Sequence, residues 1–313
     1  WGNHLGSEEY PPDARVHEEA ESMDDIEDYD KPMLRYFGIS DPFAESVTVD
    51  DFRAVFNAYR YGYPVEIAVT DAGDTTVNKR YACGRVALEL AYVMPDSRTV
   101  YISDDGTNVG LFMFVADTAG DLSAGNLYAA RWNQIDTANG GFANIVWIPL
   151  GHATQAEIQT AIESGLQFSD IFDTAEPNED GTCPAGFVSV NTEDSGHECL
   201  RVKSGMEKIA SRLETRRYAA MLGATTEFRK EEGITFDPDK RILYVAMSEV
   251  ARGMEDFMKN GGENDRYDKG GPNHVALPYN LCGCVYGMDV GPDSDIGSDY
   301  VAMNMFGVVC GTM

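Results

Sequence analysis

Seven short segments rich in β-branched and aromatic residues set the strongest limit on the fold of this chain. They are separated at fairly regular spacing by Gly, Asp, Asn and Pro, the residues that form turns. The segments cover residues 64–69, 86–93, 99–103, 111–116, 126–132, 145–150 and 242–247. Regular short strands of this kind predict an all-β domain, such as a sandwich, a barrel or a propeller.

A weak internal repeat favours the propeller. The stretches DSRTVYISDD and DPDKRILYVAMS share a polar turn containing Asp, followed by a strand with an aromatic residue at its centre. Repeats of this type are typical of propeller blades. No linker divides the chain, so we expect one β-propeller domain over residues 1–313.

Helical patterns interrupt the strands at three places. Residues 50–60 have apolar side chains at helical spacing. Thr154 with Glu157, and Ser204 with Glu207, form capping-box patterns that predict two more short helices, and Gly223 is suited to end the second. Residues 8–31 are polar and acidic, which predicts a surface segment or an active-site loop and not a core element.

The net charge limits the kinds of molecule that this protein can bind. The chain has 52 acidic and 24 basic residues and a net charge of −28. A field of this sign repels duplex nucleic acid and attracts divalent cations, although such an excess also serves solubility.

No apolar run reaches the roughly 18 residues of a membrane-spanning helix. Of six cysteines, Cys183 and Cys199 bracket a polar loop and form either a disulfide or a pair of buried thiols.

Nucleotide-binding glycine motifs, GxSxG and HExxH are absent, and there are only five histidines. Chemistry in this chain should therefore depend on carboxylates, which select hard cations such as Ca²⁺. The Asp-rich loop formed by Asp289, Asp293, Asp295 and Asp299 lacks EF-hand spacing and is better explained as turn chemistry, as are Asp104 and Asp105.

Carboxylates that are candidates for metal or anion binding occur at three places in the sequence. At each place they can also be explained as solvent-exposed charges. Glu8 and Glu9 are adjacent, so at most one faces a given site if the backbone is extended. Glu89 lies in an apolar strand, on the face that alternation gives to Ala87 and Ala91. A third group, at residues 230–232, combines a lysine with two glutamates and could hold an anion beside metal ions.

Collinear motifs extend over nearly the whole chain, namely WGNHLGSEEY, YGYPVEI, ACGRVALELAYV, TVYISDD, LFMFVAD, NLYAARWN, GATTEFRKEEGITFDPDKRILYVAMSEV and LPYNLCGCVYGMDV. Together they resemble the PhoX-type alkaline phosphatases, a calcium- and iron-dependent family with a six-bladed β-propeller fold. This resemblance implies that the chain covers only part of a propeller and is incomplete at both ends.

The resemblance also implies site residues. The metal ligands of the family fall on Glu8, Glu9, Glu89 and Glu232, and its phosphate-binding cation falls on Lys230. A shift of the alignment by one position selects Arg229 and Glu231 instead. The catalytic candidates are thus Lys230 and Glu232. Calcium is the expected cofactor. Iron is poorly supported, because the cysteine ligand of the family is replaced by Ser7, and its strand histidine by Leu88.

These features predict a metal-dependent phosphatase that hydrolyses small phosphate monoesters, with diesters as a second substrate class. The alternative is a non-catalytic, secreted, calcium-binding propeller scaffold, which the Ser7, Leu88 and Lys230 replacements favour. Both predictions place the protein in the extracellular space, in the periplasm or on the cell surface. The sequence does not fix the oligomeric state.

Overall fold

The computed structural model describes residues 2–193 and 196–312, and strands dominate them. The strands are β1 His4–Gly6, β2 Val65–Val69, β3 Thr75–Lys79, β4 Leu88–Val93, β5 Thr99–Asp104, β6 Thr107–Val109, β7 Phe112–Thr118, β8 Asp121–Asp136, β9 Phe142–Thr154, β10 Phe172–Ala175, β11 Val188–Thr192, β12 Gly196–Val202, β13 Phe228–Arg229, β14 Glu231–Asp237, β15 Ile242–Met247, β16 Met258–Lys259, β17 Gly262–Glu263, β18 Cys284–Asp293, β19 Ser298–Ala302 and β20 Asn304–Cys310. The sequence predicted an all-β domain, and the described residues are mostly β with short helices.

The helices are short and lie outside the main sheet. They are α1 Ala14–Glu19, α2 Val49–Val55, α3 Gln155–Glu163, α4 Phe168–Ile171, α5 Glu207–Leu213 and α6 Thr215–Met221, with 3₁₀ turns at Met23–Asp25, Lys31–Phe37, Ala58–Arg60, Tyr81–Cys83, Ala138–Gly140 and Arg252–Met254. In the described residues, none of these helices has the length and apolar character needed to cross a membrane.

Antiparallel pairing joins ten strands into one sheet. Its order is β14-β15-β18-β20-β9-β8-β7-β5-β4, with β19 added beside β18. Smaller sheets are β1-β2-β3 and β10-β12-β11, and the pairs β13-β6 and β16-β17 complete the pairing of the described strands. Because one sheet takes up so many strands, the pairing does not divide them into equal blades, and the six-bladed propeller stays a prediction.

The two end strands of the large sheet, β4 and β14, approach each other, so that the sheet is nearly closed. Several contacts cross this gap, which we call the seam. The Asp104 backbone N–H at the end of β5 donates to Glu231 Oε2 on β14 at 3.1 Å. The short β6–β13 ladder also crosses it, with Phe228 opposite Val109 and Arg229 opposite Thr107.

Alternation along the strands sends side chains into separate cores on the two faces of the large sheet. On β5, Tyr101 packs in one cluster with Trp132 and Trp147, whereas Ile102 packs in a second with Phe114. A third cluster is formed mainly by the helices and the first sixty residues of the chain. Most of the buried apolar surface, which stabilises the fold, is therefore organised around the large sheet.

The expectation that residues 8–31 contribute nothing to the core is wrong. This segment contains α1 and buries Ala14, Ala20 and Ile26. Asp13 caps α1 by accepting from two backbone N–H groups, and its carboxylate also pairs with Arg217 at 3.0 Å. The segment combines acidic residues that face water with a few apolar anchors, a mixture that the composition alone does not reveal.

Of the two predicted capping boxes, only the first forms. Thr154 and Glu157 bond reciprocally at the start of α3. The Ser204–Glu207 prediction is wrong, because α5 begins after Met206 and has no side-chain cap. The helix predicted over residues 50–60 forms only in part, as α2 followed by the separate 3₁₀ turn Ala58–Arg60.

Of the two alternatives for Cys183 and Cys199, the disulfide is present, and a second disulfide joins Cys284 to Cys310 across β18 and β20. Cys83 is a buried free thiol and Cys282 an exposed one. Burial raises the pKa of the Cys83 thiol to about 12, so this thiol is unreactive at neutral pH.

Candidate metal and phosphate site

Three carboxylates converge at the seam. Oxygens of Glu9, Glu89 and Asp105 all lie within 4.8 Å of one another, and all three residues are half-buried. Glu9 follows β1, Glu89 lies on β4 and Asp105 directly follows β5. The cluster therefore depends on the tertiary arrangement of three separate parts of the chain.

Lys230 and Glu232 complete the site from the other side of the seam. The Lys230 Nζ donates to Asp105 Oδ1 at 2.9 Å and lies 3.1 Å from Glu232 Oε1. Its backbone is fixed as well, because its N–H donates to the Gly106 carbonyl and its carbonyl accepts from Ser248. Lys230 adopts a left-handed φ of 48°, which turns the chain sharply between β13 and β14.

A β-bulge places Glu89. The register pairs Leu88 with Asp104 and Leu90 with Ser103, so Glu89 is an extra residue between them. The Leu90 N–H donates to Ser103 Oγ at 3.1 Å. The predicted strict alternation over residues 86–91 is therefore wrong: Leu88 packs in one core cluster and Leu90 against the other. Bulges often redirect a side chain in this way next to functional sites.

Glu8 and Glu9 point to different surroundings. Glu8 Oε1 pairs with Lys79 Nζ at 2.6 Å, and its Oε2 accepts from the backbone N–H groups of Gly62 and Tyr63 at 3.0 and 3.2 Å. Glu9 turns to the carboxylate cluster. Glu8 is thus held outside the cluster and anchors the backbone that presents Glu9.

The shifted alternative, Arg229 with Glu231, lies away from the cluster. Arg229 pairs with Glu249 at 2.8 Å. Glu231 is fully buried, and its neighbour across the seam is Asp104, which pairs with Arg216 at 2.5 Å. The geometry of the described residues therefore favours Lys230 and Glu232 as the pair that faces the site.

Mutual repulsion is the main electrostatic property of the cluster. The pKa of Glu89 is raised above its ordinary value by burial and by the charges of Glu9, Glu232 and Asp105, which Lys230 offsets only in part. Burial alone would lower the pKa of Lys230, but its bonds to Asp105 and Glu232 raise it. The lysine is therefore charged at neutral pH, and the cluster still carries an excess of negative charge.

Asp105 is the residue that sequence reasoning missed. The Asp104–Asp105 pair after a strand was expected to form a turn only. In the structure, the Asp104 carboxylate pairs with Arg216 and its backbone N–H bonds Glu231 across the seam, whereas Asp105 reaches the cluster. A signal was present in the TVYISDD stretch, where two acidic residues follow a buried strand.

Two other groupings have simpler explanations. Cys183, His197 and Cys199 lie close together, but the two cysteines form a disulfide and are not thiolate ligands. In the Asp-rich loop, Asp293 accepts from the backbone N–H groups of Asp295 and Ile296. The interpretation of this loop as a turn agrees with these bonds.

The donor set fits a hard cation. Carboxylate oxygens supply the cluster, and Lys230 compensates only part of their charge. Flexible oxygen coordination of this kind suits Ca²⁺. Ser7, two residues before Glu9, is exposed and offers a neutral hydroxyl, so the ligand set within the described residues includes no thiolate for ferric iron.

The sequence model described as "Alkaline phosphatase PhoX" matches residues 1–272. Among solved structures, the chain is similar to Pseudomonas fluorescens PhoX in complex with vanadate, a transition state analogue, with a TM-score of 0.52 and 19% identity. That match covers 97% of this chain and 45% of the Pseudomonas chain, so the present chain spans less than half the length of that relative. No curated protein matches the sequence significantly. Because the family model covers most of its length, the chain belongs to the PhoX alkaline phosphatase family.

Proposed function

We propose that this chain forms part of a metal-dependent phosphatase that hydrolyses phosphate monoesters, with diesters as a second substrate class. The observation that carries the proposal is the convergence of Glu9, Glu89 and Asp105 with the Lys230–Glu232 pair at the seam. Family membership and the vanadate bound to Pseudomonas PhoX support a phosphate-ester substrate.

In this proposal Glu9, Glu89, Asp105 and Glu232 hold calcium, and Glu8 supports them by fixing the backbone. Iron has weaker support because Ser7 stands in place of a cysteine ligand. When bound, calcium supplies positive charge that neutralises the phosphate and polarises its P–O bonds. The bulge at Glu89 and the fixed backbone of Glu9 keep these ligands in place before substrate binds.

Lys230 is the proposed catalytic cation. Both oxygens of Asp105 lie 2.9 and 3.2 Å from its Nζ and can share one N–H, and Glu232 takes a second. An ammonium group has three donors, so one is left for a phosphate oxygen. A fixed positive charge at that position stabilises the negative charge that develops on phosphate during transfer.

We propose that the protein works in the extracellular space, in the periplasm or at the cell surface. Two disulfides in the described residues support an oxidising compartment. We also propose that the longer protein closes a six-bladed propeller around this site, as the family resemblance implies. A calcium-binding scaffold without activity is the competing function, and the Ser7 replacement favours it.

The test is to measure metal content by mass spectrometry and turnover of p-nitrophenyl phosphate, with and without a chelator, on the full-length protein. We expect bound calcium and turnover that the chelator abolishes. Glu89→Gln should lose both, whereas Glu179→Gln, which changes an exposed glutamate outside the cluster, should lose neither. Bound calcium without turnover would support the scaffold, and absence of metal would refute the carboxylate-site proposal.

A further inference from the structure

An open apolar pocket of about 390 Å³ lies beside the carboxylate cluster. It is lined by Tyr10, Pro12, Tyr29, Asp30, Met33, Phe56 and Tyr61. Its volume is in the range of small-molecule sites, and its lining is almost entirely aromatic and aliphatic. We call it the tyrosine pocket.

Tyr10 connects the tyrosine pocket to the proposed active site along the chain. It lines the pocket and directly follows Glu9, whose carboxylate belongs to the cluster. The Tyr10 ring therefore forms a wall of the pocket at the point where the chain leaves the cluster.

The opposite wall is tied to the same part of the chain. Phe56 and Tyr61 stack with their ring centroids 5.3 Å apart. The Lys79 Nζ that pairs with Glu8 lies 4.6 Å from the centroid of the Tyr61 ring. Glu8 and Glu9 thus fix the position of the pocket relative to the cluster.

Two of the rings are left largely uncovered. Tyr10 is 70% exposed and Tyr29 is 59% exposed, with their centroids 6.1 Å apart. Exposed aromatic faces next to a catalytic site are suited to bind a ligand, because stacking and burial of aromatic surface both favour association.

The chemistry of the pocket favours a neutral aromatic group. Asp30 is buried and its Oδ2 is bonded to His17 at 2.8 Å, so its carboxylate is poorly placed to pair with a ligand cation. Lys79 already lies over the Tyr61 ring, which disfavours a second cation there. A broad, planar and uncharged group would bury the most apolar surface without leaving a polar atom unpaired.

We propose that the tyrosine pocket binds the alcohol part of the substrate and selects phosphate monoesters with an aromatic leaving alcohol. This inference rests on the proposed function and specifies its substrate class. The phosphate group would lie at the carboxylate cluster, and the ring of the alcohol would lie in the pocket against the exposed faces of Tyr10 and Tyr29.

The first experiment compares kcat/KM of the full-length, calcium-loaded protein for benzyl phosphate and methyl phosphate. Their leaving alcohols have similar acidity, so a difference reports binding of the ring and not intrinsic reactivity. We expect benzyl phosphate to be preferred by at least about tenfold. Choline phosphate is the third substrate, because an aromatic cage would instead prefer its quaternary ammonium group.

A pair of tyrosine variants localises the effect. Tyr29→Ala should remove most of the preference for benzyl phosphate over methyl phosphate. Tyr36→Ala is the matched control, because Tyr36 is 85% exposed on the neighbouring 3₁₀ turn and does not line the pocket. Calorimetric titration with benzylphosphonate and methylphosphonate, which are not hydrolysed, gives a second readout that does not depend on activity.

Each outcome decides between the proposals. Equal turnover of benzyl and methyl phosphate, or a Tyr29→Ala variant that keeps the preference, would overturn the pocket proposal and leave the phosphatase intact. A preference for choline phosphate would overturn the aromatic assignment in favour of a cation site. Turnover of none of the three esters would overturn the proposed function, and the pocket proposal with it.

Discussion

At the scale of single residues, Glu8 and Glu9 show how neighbours in sequence take on different tasks. Glu8 is satisfied by Lys79 and two backbone N–H groups, whereas Glu9 lies among other carboxylates. Glu8 therefore stabilises the fold, whereas Glu9 adds electrostatic repulsion between carboxylates. Such repulsion persists in proteins at functional sites, where a ligand relieves it.

This difference predicts opposite phenotypes for two adjacent substitutions. Glu9→Gln should weaken calcium binding by about tenfold or more, since affinity follows the number of charged ligands. Glu8→Gln should retain calcium but lower the melting temperature slightly, because its ion pair with Lys79 is partly exposed. Calorimetric calcium titration and thermal unfolding measure the two effects. Equal loss of calcium affinity in both variants would contradict the assignment.

Sequence reasoning named Glu9, Glu89, Lys230 and Glu232, which the fold brings together at the seam, but did not name Asp105 as a candidate. The first four were named by resemblance to family motifs, because a motif match identifies particular positions in the sequence. Asp105 reaches the cluster because the Lys230 N–H donates to the Gly106 carbonyl. This bond joins the segment after β5 to the segment before β14 across the seam. Such a contact depends on tertiary structure, and a pair of aspartates after a strand is equally compatible with a turn.

At the scale of elements, identical local patterns had different outcomes. Thr154-x-x-Glu157 and Ser204-x-x-Glu207 both match a capping box, but only the first one caps a helix. Strands with strong β-patterning were predictable, and β15 was predicted with its observed bounds. The glycine-containing β18 and β20 were not predicted, because their stability comes from neighbouring strands and from the Cys284–Cys310 disulfide.

The two patterns provide a matched test of helix capping. Thr154→Ala should lower the free energy of unfolding by about 1 kcal/mol, because it removes the side-chain acceptor for the Glu157 N–H. Ser204→Ala should change it by less than about 0.5 kcal/mol, since exposed Ser204 caps no helix. Urea denaturation of both variants measures the difference. A comparable loss in Ser204→Ala would show that the second box forms in solution.

At the scale of the whole molecule, charge acts on the fold in two ways. The net charge of −28 means that acidic side chains repel one another over the entire surface, and salt screens this general repulsion. The cluster at the seam adds local repulsion between strands that close the large sheet. A divalent cation bound there would relieve the local repulsion and also connect β4 to the segments after β1 and β5.

Calcium and salt should therefore stabilise the protein by separable routes. Added calcium at about 100 times its dissociation constant should stabilise the chelator-treated protein by about 2.7 kcal/mol, through binding to the folded state. Sodium chloride should raise the melting temperature through screening alone. Glu9→Gln should lose the calcium response and keep the salt response, and thermal unfolding in both titrations measures this. If Glu9→Gln kept the full calcium response, calcium would be acting on the general acidic surface, and the seam would not be its binding site.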